Sequence, residues 1–168
     1  ADLLVELSAR GDHLSWDVVM EHRPGPDGRA GEPGPPASHP RLAPGAEIAE
    51  VELDRRFWGT FRASLAAFGV TDAGAVEELV ALEREVFGPV KRWFAVRADG
   101  EIASLAALVV LAGAGYVDHV VTFPAHRRRG YAGALVARLA AEARAAGCDP
   151  VFLLAEDGAP AVRLYERL

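Results

Sequence analysis

One run in the second half of this sequence restricts the fold more than any other, because it joins an apolar strand to a long helix through a turn of arginines and glycine. Residues 116–123 predict the strand, which ends at Pro124, and residues 131–146 predict the helix. The turn between them contains residues 127–130, with the sequence Arg-Arg-Arg-Gly. A helix that follows a strand so closely packs back onto the same sheet, and we therefore expect an α/β protein.

The rest of the chain adds strands and helices in an order typical of a mixed sheet with helices on its faces. Strands are predicted where β-branched and aromatic residues alternate between turn residues, and helices where apolar residues recur every three or four positions. The predicted order is a β-hairpin over 3–21, a strand over 47–53, helices over 54–68 and 73–87, strands over 92–97, 101–111 and 116–123, a helix over 131–146, a strand over 151–155 and a helix over 160–168.

Turn and capping residues set several of these boundaries. Asp54 is a candidate N-cap for the first helix, and Thr71 or Asp72 for the second, because their side-chain oxygens can accept a backbone N–H. Asp99-Gly100 predicts a tight hairpin turn between two strands, and Gly113-Ala114-Gly115 predicts the next turn.

Proline and glycine dominate residues 23–46, and a stretch of that composition forms little regular structure. We therefore expect three parts along the chain: an N-terminal β-hairpin extension over 1–22, a flexible linker over 23–46 and one domain over 47–168. A proline-rich recognition motif is the less favoured interpretation of the linker, since composition alone accounts for it. The length of 168 residues suits a single domain with its own core.

Charge and cysteine content argue against several classes of function. The formal net charge of −6 disfavours nucleic acid as a partner, since phosphate contacts need clustered lysine and arginine. No apolar run approaches the ~18 residues of a membrane span, and the first residues lack the pattern of a signal peptide. The lone Cys148 rules out a disulfide within the chain, and the five histidines show no metal-ligand spacing. We expect a cytoplasmic protein without a metal or a membrane partner.

The turn over residues 127–132 has the features of a phosphate site. Free backbone N–H groups at a helix start, the helix dipole and the arginine charges all favour an anion there. A Walker A loop would need Gly-Lys-Ser or Gly-Lys-Thr, which the sequence lacks. Gly113-Ala114-Gly115 lacks the third glycine of a dinucleotide fingerprint and precedes a strand. A nucleotide-phosphate site of another kind is the less favoured interpretation of these residues.

The run Arg127-Arg128-Arg129-Gly130-Tyr131-Ala132 resembles the Arg/Gln-x-x-Gly-x-Gly/Ala signature of the GNAT superfamily of N-acetyltransferases. The resemblance extends over about residues 47–168, because the helices and strands follow the family's order and residues 161–168 resemble its Ala-x-x-Leu-Tyr-Glu segment. It implies a mixed, mostly antiparallel sheet flanked by helices, preceded here by the β-hairpin extension.

By this resemblance, residues 47–168 would form an acyl-CoA N-acyltransferase domain with acetyl-CoA as the acyl donor. The backbone of Val120, Val121 and Thr122 would bind the pantetheine arm, and the strands over 116–123 and 151–155 would separate to admit the thioester. The pyrophosphate would be held by the backbone N–H groups of Arg127, Arg128, Arg129, Gly130, Tyr131 and Ala132.

The resemblance also implies direct transfer of the acetyl group to a primary amine, on a small molecule, a protein lysine or a protein N-terminus. The alternative is a GNAT-like module that binds acyl-CoA without turnover and acts as a sensor or interaction domain. The oligomeric state stays open, with a homodimer among the options.

Four residues are candidates for catalysis. Tyr165 matches the family's tyrosine that protonates the leaving thiolate, and a core aromatic is its structural alternative. Asp118 and His119 are adjacent on a strand, so their side chains should point to opposite faces and one should face the cleft. Glu156 follows the strand over 151–155, at the carboxyl end where ligands gather in such sheets. Any of these last three is a candidate general base, although solvation or capping is the more frequent role.

Two departures from the family's pattern affect the expected site. The family usually continues past its Leu-Tyr-Glu segment into Gly-Phe and two more strands, whereas this sequence ends at Leu168. We therefore expect those strands to be missing, with the hairpin over 3–21 in part of their place. Gly158 stands where the family often has asparagine, which removes one contact to the cofactor or the acceptor. On the second helix, Glu83 and Glu85 are candidates for lining the acceptor pocket, with surface solvation favoured.

Overall fold

The computed structural model describes residues 17–21, 42–156 and 160–166, and within them the strands form one mixed sheet in the order β1-β6-β5-β4-β3-β2. Neighbouring strands are antiparallel except β5 and β6, which are parallel. The mixed, mostly antiparallel sheet predicted from the sequence is therefore confirmed. The strands are β1 (Asp17–Glu21), β2 (Glu47–Glu50), β3 (Lys91–Ala98), β4 (Glu101–Leu111), β5 (Ala114–Thr122) and β6 (Val151–Glu156), and the helices are α1 (Arg55–Ser64), α2 (Ala73–Leu82), α3 (Tyr131–Ala145) and α4 (Pro160–Tyr165).

Side-chain caps begin the first two helices at the predicted residues. The carboxylate of Asp54 accepts from the backbone N–H of Phe57 at 2.7 Å, and that of Asp72 accepts from Ala75 at 2.9 Å. Each bond satisfies an N–H that has no partner inside its helix. Of the two candidate caps for α2, the structure uses Asp72.

Both helices change pitch before they reach their predicted ends. After α1, a tighter 3-10 turn covers Leu65–Phe68 and stops at Gly69, whose φ is +78°. After α2, a wider π turn covers Glu83–Phe87. Glu83, at the start of this turn, is buried on the same helix face as Val80, while Val86 and Phe87, which the wider turn rotates around the axis, remain exposed. The predicted helix over 73–87 thus carries its apolar residues mostly on the outside.

The hairpins differ in how well the sequence predicted them. Asp99 and Gly100 form the turn between β3 and β4 with φ of +54° and +79°, as the sequence predicted. The next turn lies at Ala112 and Gly113, one residue before the predicted position. Gly115 instead belongs to β5, where a Cβ atom would lie 2.6 Å from the Cβ of Ala143. This glycine is therefore explained by the close approach of α3.

Two apolar cores lie on opposite sides of the sheet. The α3 face is the side that carries α3, and its core includes Val96, Leu108, Leu135, Leu139 and Val151. The α1–α2 face is the side that carries α1 and α2, and its core includes Phe57, Phe61, Trp93, Leu105 and Val121. The sheet is buried on both sides in its middle, which fixes the strands that border the site.

Strand β1 brings the N-terminal region into the sheet. Its five residues pair antiparallel with β6, from Asp17 opposite Glu156 to Glu21 opposite Phe152. The second half of the predicted hairpin is thus a strand, while its first half, most of the predicted linker and Gly158 lie outside the described residues. Among the helices that the structure describes, none has the length and apolar character to cross a membrane.

Candidate active site

A cleft opens where β5 and β6 stop pairing. The two parallel strands are paired from Gly115 opposite Val151 to Val117 opposite Leu153, and then diverge although each continues for several residues. In the part of the chain that the structure describes, the edge of β5 over residues 118–122 has no strand partner on this side. Its backbone N–H and C=O groups need partners, so this edge can bind an extended ligand.

A β-bulge distorts β5 at the apex of the cleft. Val121 lies opposite Leu105 on β4 and Asp118 lies opposite Ala107, so His119 and Val120 together oppose one residue. His119 has a φ of +51°, a left-handed conformation that favours glycine. The extra residue turns the side chains of Asp118 and His119 to the same side of the sheet, the α1–α2 face. The prediction that they point to opposite faces is wrong, because alternation holds only in an unbulged strand.

His119 lies in a largely apolar pocket on the α1–α2 face. Its ring contacts Phe61, Phe68 and Trp93 at centroid distances of 4.9, 4.8 and 5.1 Å. Burial, together with the nearby charge of Lys91, lowers the pKa of His119 to about 4, although Asp118 acts in the opposite direction. The imidazole is therefore neutral at pH 7.

One hydrogen bond fixes the orientation of this imidazole. The Nε2 atom of His119 lies 2.6 Å from Oγ of Ser64, and the same hydroxyl donates to the carbonyl of Phe61 at 2.7 Å. With its proton directed to Phe61, the Ser64 hydroxyl accepts the bond from His119. This network assigns the proton to Nε2 and leaves Nδ1 as the atom able to accept a proton.

Asp118 is held as a carboxylate by three donors. The Lys91 ammonium lies 2.8 Å from Oδ2, while the Tyr116 hydroxyl and the His119 N–H donate to Oδ1 at 3.2 and 2.8 Å. Burial alone would raise the pKa of Asp118, but these donors outweigh it and lower the pKa below its usual value. The side chain is still 27% exposed, so its charge can act on a molecule bound beside β5.

The same lysine binds a second carboxylate. Nζ of Lys91 lies 3.0 Å from Oε2 of Glu83, whose side chain is 7% exposed. Burial raises the pKa of Glu83 above its usual value, although Lys91 opposes the shift. The indole of Trp93 is close enough to lower it slightly, but neither its N–H nor Oε1 of Glu83 has a hydrogen-bond partner among the described residues. We call Glu83, Lys91 and Asp118 the charge cluster.

The sequence contains a signal for this cluster that our prediction missed. Lys91 is the only lysine in a chain with 18 lysines and arginines in total. The compact ammonium of lysine and the planar, forked guanidinium of arginine are not interchangeable, so a single lysine among arginines indicates a position that requires a point charge on a flexible stem. Glu83, which we expected to be solvated, is buried, and its helical spacing from Val76 and Val80 on the inner face of the helix is the signal that we missed.

The predicted phosphate turn has the geometry of an anion site. Arg128 and Gly130 adopt φ of +64° and +79°, and Gly130 at the N-cap of α3 has no side chain that could satisfy the first turn of the helix. The N–H groups at this helix start therefore remain for an outside acceptor, favoured by the helix dipole. Arg127 donates instead to the carbonyl of Thr122 at 3.2 Å, which ties the turn to β5. The arrangement fits a diphosphate bound chiefly by backbone groups.

The side chains of residues 120–122 anchor the free edge of β5. Val120 packs against the core of the α3 face and Val121 is buried in the core of the α1–α2 face. Ser104 donates to the carbonyl of Val121 at 2.7 Å and lies 2.9 Å from the hydroxyl of Thr122. The strand is thus fixed by its side chains and by β4, while its other backbone edge faces the cleft.

Tyr165 and Glu156 lie apart from the charge cluster. Tyr165 on α4 is half-buried against the core of the α3 face, and burial raises its pKa, so the phenol stays protonated. Glu156 is exposed at the end of β6. The candidate acid is therefore on one side of the sheet and the candidates Asp118 and His119 are on the other, with the cleft between them.

Comparison with known proteins agrees with this architecture. The model of the acetyltransferase (GNAT) family matches residues 57–168. No curated protein matches the sequence. Among solved structures, the chain is similar to a predicted acetyltransferase from Clostridium acetobutylicum with acetyl-CoA, at 17% identity and a TM-score of 0.57, over 73% of this chain and 87% of that one.

Two further structures share the fold. A ribosomal-protein-alanine N-acetyltransferase from Brucella melitensis matches at 24% identity and a TM-score of 0.59, over 73% of this chain and 89% of that one. A glucosamine-6-phosphate N-acetyltransferase from Arabidopsis thaliana matches at 20% identity and a TM-score of 0.55, over 73% of this chain and 88% of that one. Since the family model covers more than half of the sequence, the chain belongs to the GNAT acetyltransferase family.

Proposed function

We propose that the protein transfers an acetyl group from acetyl-CoA directly to a primary amine. The observation that carries the proposal is the cleft between β5 and β6, whose free backbone edge leads to the uncapped start of α3. An extended ligand with a diphosphate at one end and a thioester at the other matches that arrangement. Family membership supports acetyltransferase chemistry in general, and the amine acceptor is our proposal.

The backbone would hold the acyl donor at two places. The N–H groups of residues 128–132 bind the pyrophosphate, whereas the N–H of Arg127, which we expected to take part, already donates to the carbonyl of Pro124 at 3.3 Å. The edge formed by Val120, Val121 and Thr122 binds the pantetheine arm. The thioester carbonyl then lies near the bulge, where a backbone N–H of residues 120–122 stabilises the oxyanion. The N–H of His119 is not available for this role, because it already donates to Asp118.

Proton transfer would use the two sides of the cleft. The acceptor reaches the α1–α2 face as an ammonium, and Asp118 takes its proton directly or through water. His119 is the second candidate base through Nδ1, and Glu156 is a third at the end of β6. The neutral amine attacks the carbonyl carbon, the carbon–sulfur bond breaks, and the phenol of Tyr165 protonates the thiolate from the α3 face. The nitrogen then loses its second proton through water, which leaves the amide and restores the phenol.

We also propose the domain boundaries expected from the sequence, with residues 47–168 as the acyltransferase domain after an extension over 1–22 and a linker over 23–46. In addition, β1 contributes a strand to the same sheet through its pairing with β6. A protein carrying the extension is therefore the appropriate material for every experiment below.

Thermal melts with acetyl-CoA, CoA, ATP and NAD test the acyl donor. A ligand at 100 times its Kd adds about 2.7 kcal/mol to the free energy of unfolding, which corresponds to a rise of roughly 5–10 °C in Tm. We expect that rise with acetyl-CoA and CoA but not with ATP or NAD, followed by amine-dependent release of free thiol. A folded protein whose Tm responds to neither CoA species would refute the proposal.

A further inference from the structure

We propose that the acceptor is a primary amine with an apolar body, bound with its ammonium at Asp118 and its body along an apolar strip on the α1–α2 face. The strip consists of Tyr116, Phe152, Leu154 and Val19. This inference rests on the proposed function and specifies the acceptor of the same site. It predicts that the acceptor is an alkyl or aryl amine and not a sugar phosphate or a peptide.

Strand register places the strip on one side of the sheet. Leu153 is buried in the core of the α3 face, so its neighbours Phe152 and Leu154 face the opposite side. Tyr116 is opposite Phe152, and their rings stack at 5.2 Å with an angle of 23° between the planes. Val19 on β1 is opposite Leu154, which extends the row to a third strand.

The far part of this strip is exposed in the part of the chain that the structure describes. Leu154 is 44% exposed and Val19 is 64% exposed. Helix α4 packs on the α3 face through Val162 and Tyr165, so it does not cover the strip. Adjacent exposed apolar side chains that lead into a cleft are typical of a ligand surface, since isolated ones are the norm elsewhere.

The charge cluster provides a cation site at the near end of the strip. The hydroxyl of Tyr116 donates to Asp118, so the aromatic end of the strip and the carboxylate are in direct contact. Two carboxylates share the single ammonium of Lys91, and Oε1 of the buried Glu83 has no partner among the described residues. One further positive charge would balance the ionised cluster, whereas a phosphate on the acceptor would be repelled.

A series of linear amines measures the contribution of the strip. Propylamine, butylamine, pentylamine and hexylamine carry the same ammonium and differ only in apolar length. Full burial of one methylene is worth roughly a fourfold change in affinity, and burial on one side about half of that free energy. We therefore expect kcat/KM for thiol release to rise between about twofold and fourfold per methylene. Ethanolamine, glucosamine 6-phosphate and a peptide with an N-terminal alanine should be poor acceptors.

Matched variants locate the effect. Leu154→Thr removes apolar surface from the strip, while Val110→Thr makes a comparable change at a strand position that is 43% exposed and faces the other side of the sheet. Leu154→Thr should flatten the dependence on chain length, and Val110→Thr should preserve it. Asp118→Asn should raise KM for every amine about tenfold or more, because a charge-assisted contact is lost, and should lower kcat as well, because Asp118 is the proposed base, with the Kd for CoA unchanged.

Binding distinguishes failure of this inference from failure of the proposed function. The same four amines are titrated calorimetrically into the protein without a thioester. A length dependence in binding, without thiol release from any amine, would refute the acetyltransferase proposal and leave the amine site standing. An equal response to all four amines in turnover and in binding, or an equal effect of Val110→Thr and Leu154→Thr, would overturn the inference.

Discussion

The two sides of the cleft are built from different parts of the polypeptide. Toward α3, the candidate donor site is formed by backbone groups, at the free edge of β5 and at a helix start whose N-cap residue, Gly130, has no side chain to cap it. Toward α1 and α2, the candidate acceptor site is formed by side chains, in the charge cluster and around His119. A backbone site depends on local conformation, whereas a side-chain site depends on which residues the fold brings together.

The largest effect that would sharpen this comparison is expected at Lys91. Lys91→Met leaves the carboxylates of Glu83 and Asp118 without their cation, and breaking a buried ion pair in this way typically costs about 3–5 kcal/mol. Urea unfolding at pH 7 measures the loss, which should shrink at lower pH as the carboxylates are protonated. Lys91→Arg should restore only part of the stability, because the guanidinium fits the confined space poorly.

The exposed pair of Arg62 and Glu77 is the control for Lys91. Their atoms are 2.8 Å apart, which equals the distance from Lys91 to Asp118, but both side chains are largely in solvent. Arg62→Met should therefore leave the unfolding midpoint unchanged. If Arg62→Met and Lys91→Met have equal effects, the charge cluster is no more than an ordinary surface feature and the contrast between the two sides fails.

Tyr165 tests whether the donor side also depends on a side chain. Tyr165→Phe removes the proposed acid, and loss of a general acid lowers kcat by about 100-fold or more. The Kd for CoA should stay the same, because the predicted contacts to CoA are made by the backbone. Thiol release and thermal melts measure the two quantities. Unchanged kcat would assign Tyr165 to the core, and a parent protein that binds CoA without any turnover would favour the non-catalytic sensor.

His119 makes the stability of the acceptor side dependent on pH. The pKa of this histidine is about 4 in the folded protein and 6.5 in the unfolded chain, so the unfolded state binds more protons between those values. His119 therefore takes almost nothing from the free energy of unfolding above about pH 6.5, and it lowers that free energy progressively as the pH decreases toward 4. Between about pH 7 and about pH 5 the loss amounts to about 2 kcal/mol.

Denaturant unfolding of the parent and of His119→Gln at both pH values isolates this contribution. Asp118 and Lys91 also act on the imidazole, but both are present in the parent and in the variant, so the difference between the two pH dependences of stability reports His119. We expect the variant to lose less stability than the parent on acidification. Parallel pH profiles would show that the histidine is already solvated in the folded protein.

The sequence predicted the backbone side of the site better than the side-chain side. The caps at Asp54 and Asp72, the turn at Asp99-Gly100 and the helix start at Gly130 all follow from local chemistry, and the structure confirms them. These features depend on one to four neighbouring residues, which the sequence shows directly. The roles of the individual site residues stay predictions.

Long-range features of the site could not be derived in the same way. The bulge at His119 exists because β5 has one more residue than the matching stretch of β4. The local sequence around His119 does not indicate this difference in length. Glu83 lies on the inner face of its helix, three residues after the buried Val80, where Lys91 on β3 meets both it and Asp118 on β5. Each contact depends on register between strands or on helix pitch, which local patterns do not specify.

Gly130 gives the smallest of these effects and tests the backbone side directly. Gly130→Val forces a β-branched residue into a φ of +79° and disturbs the N–H groups at the start of α3. Loss of one charge-assisted hydrogen bond corresponds to about a tenfold rise in the Kd for CoA. Gly69→Val is the matched control, since Gly69 has a φ of +78° with nothing within 4 Å of an added Cβ and lies at the end of the 3-10 turn that follows α1. Both variants should lose stability from the strained backbone, but only Gly130→Val should weaken CoA binding. If both weaken it equally, general destabilisation accounts for the effect, and the donor site does not depend on the conformation of the turn before α3.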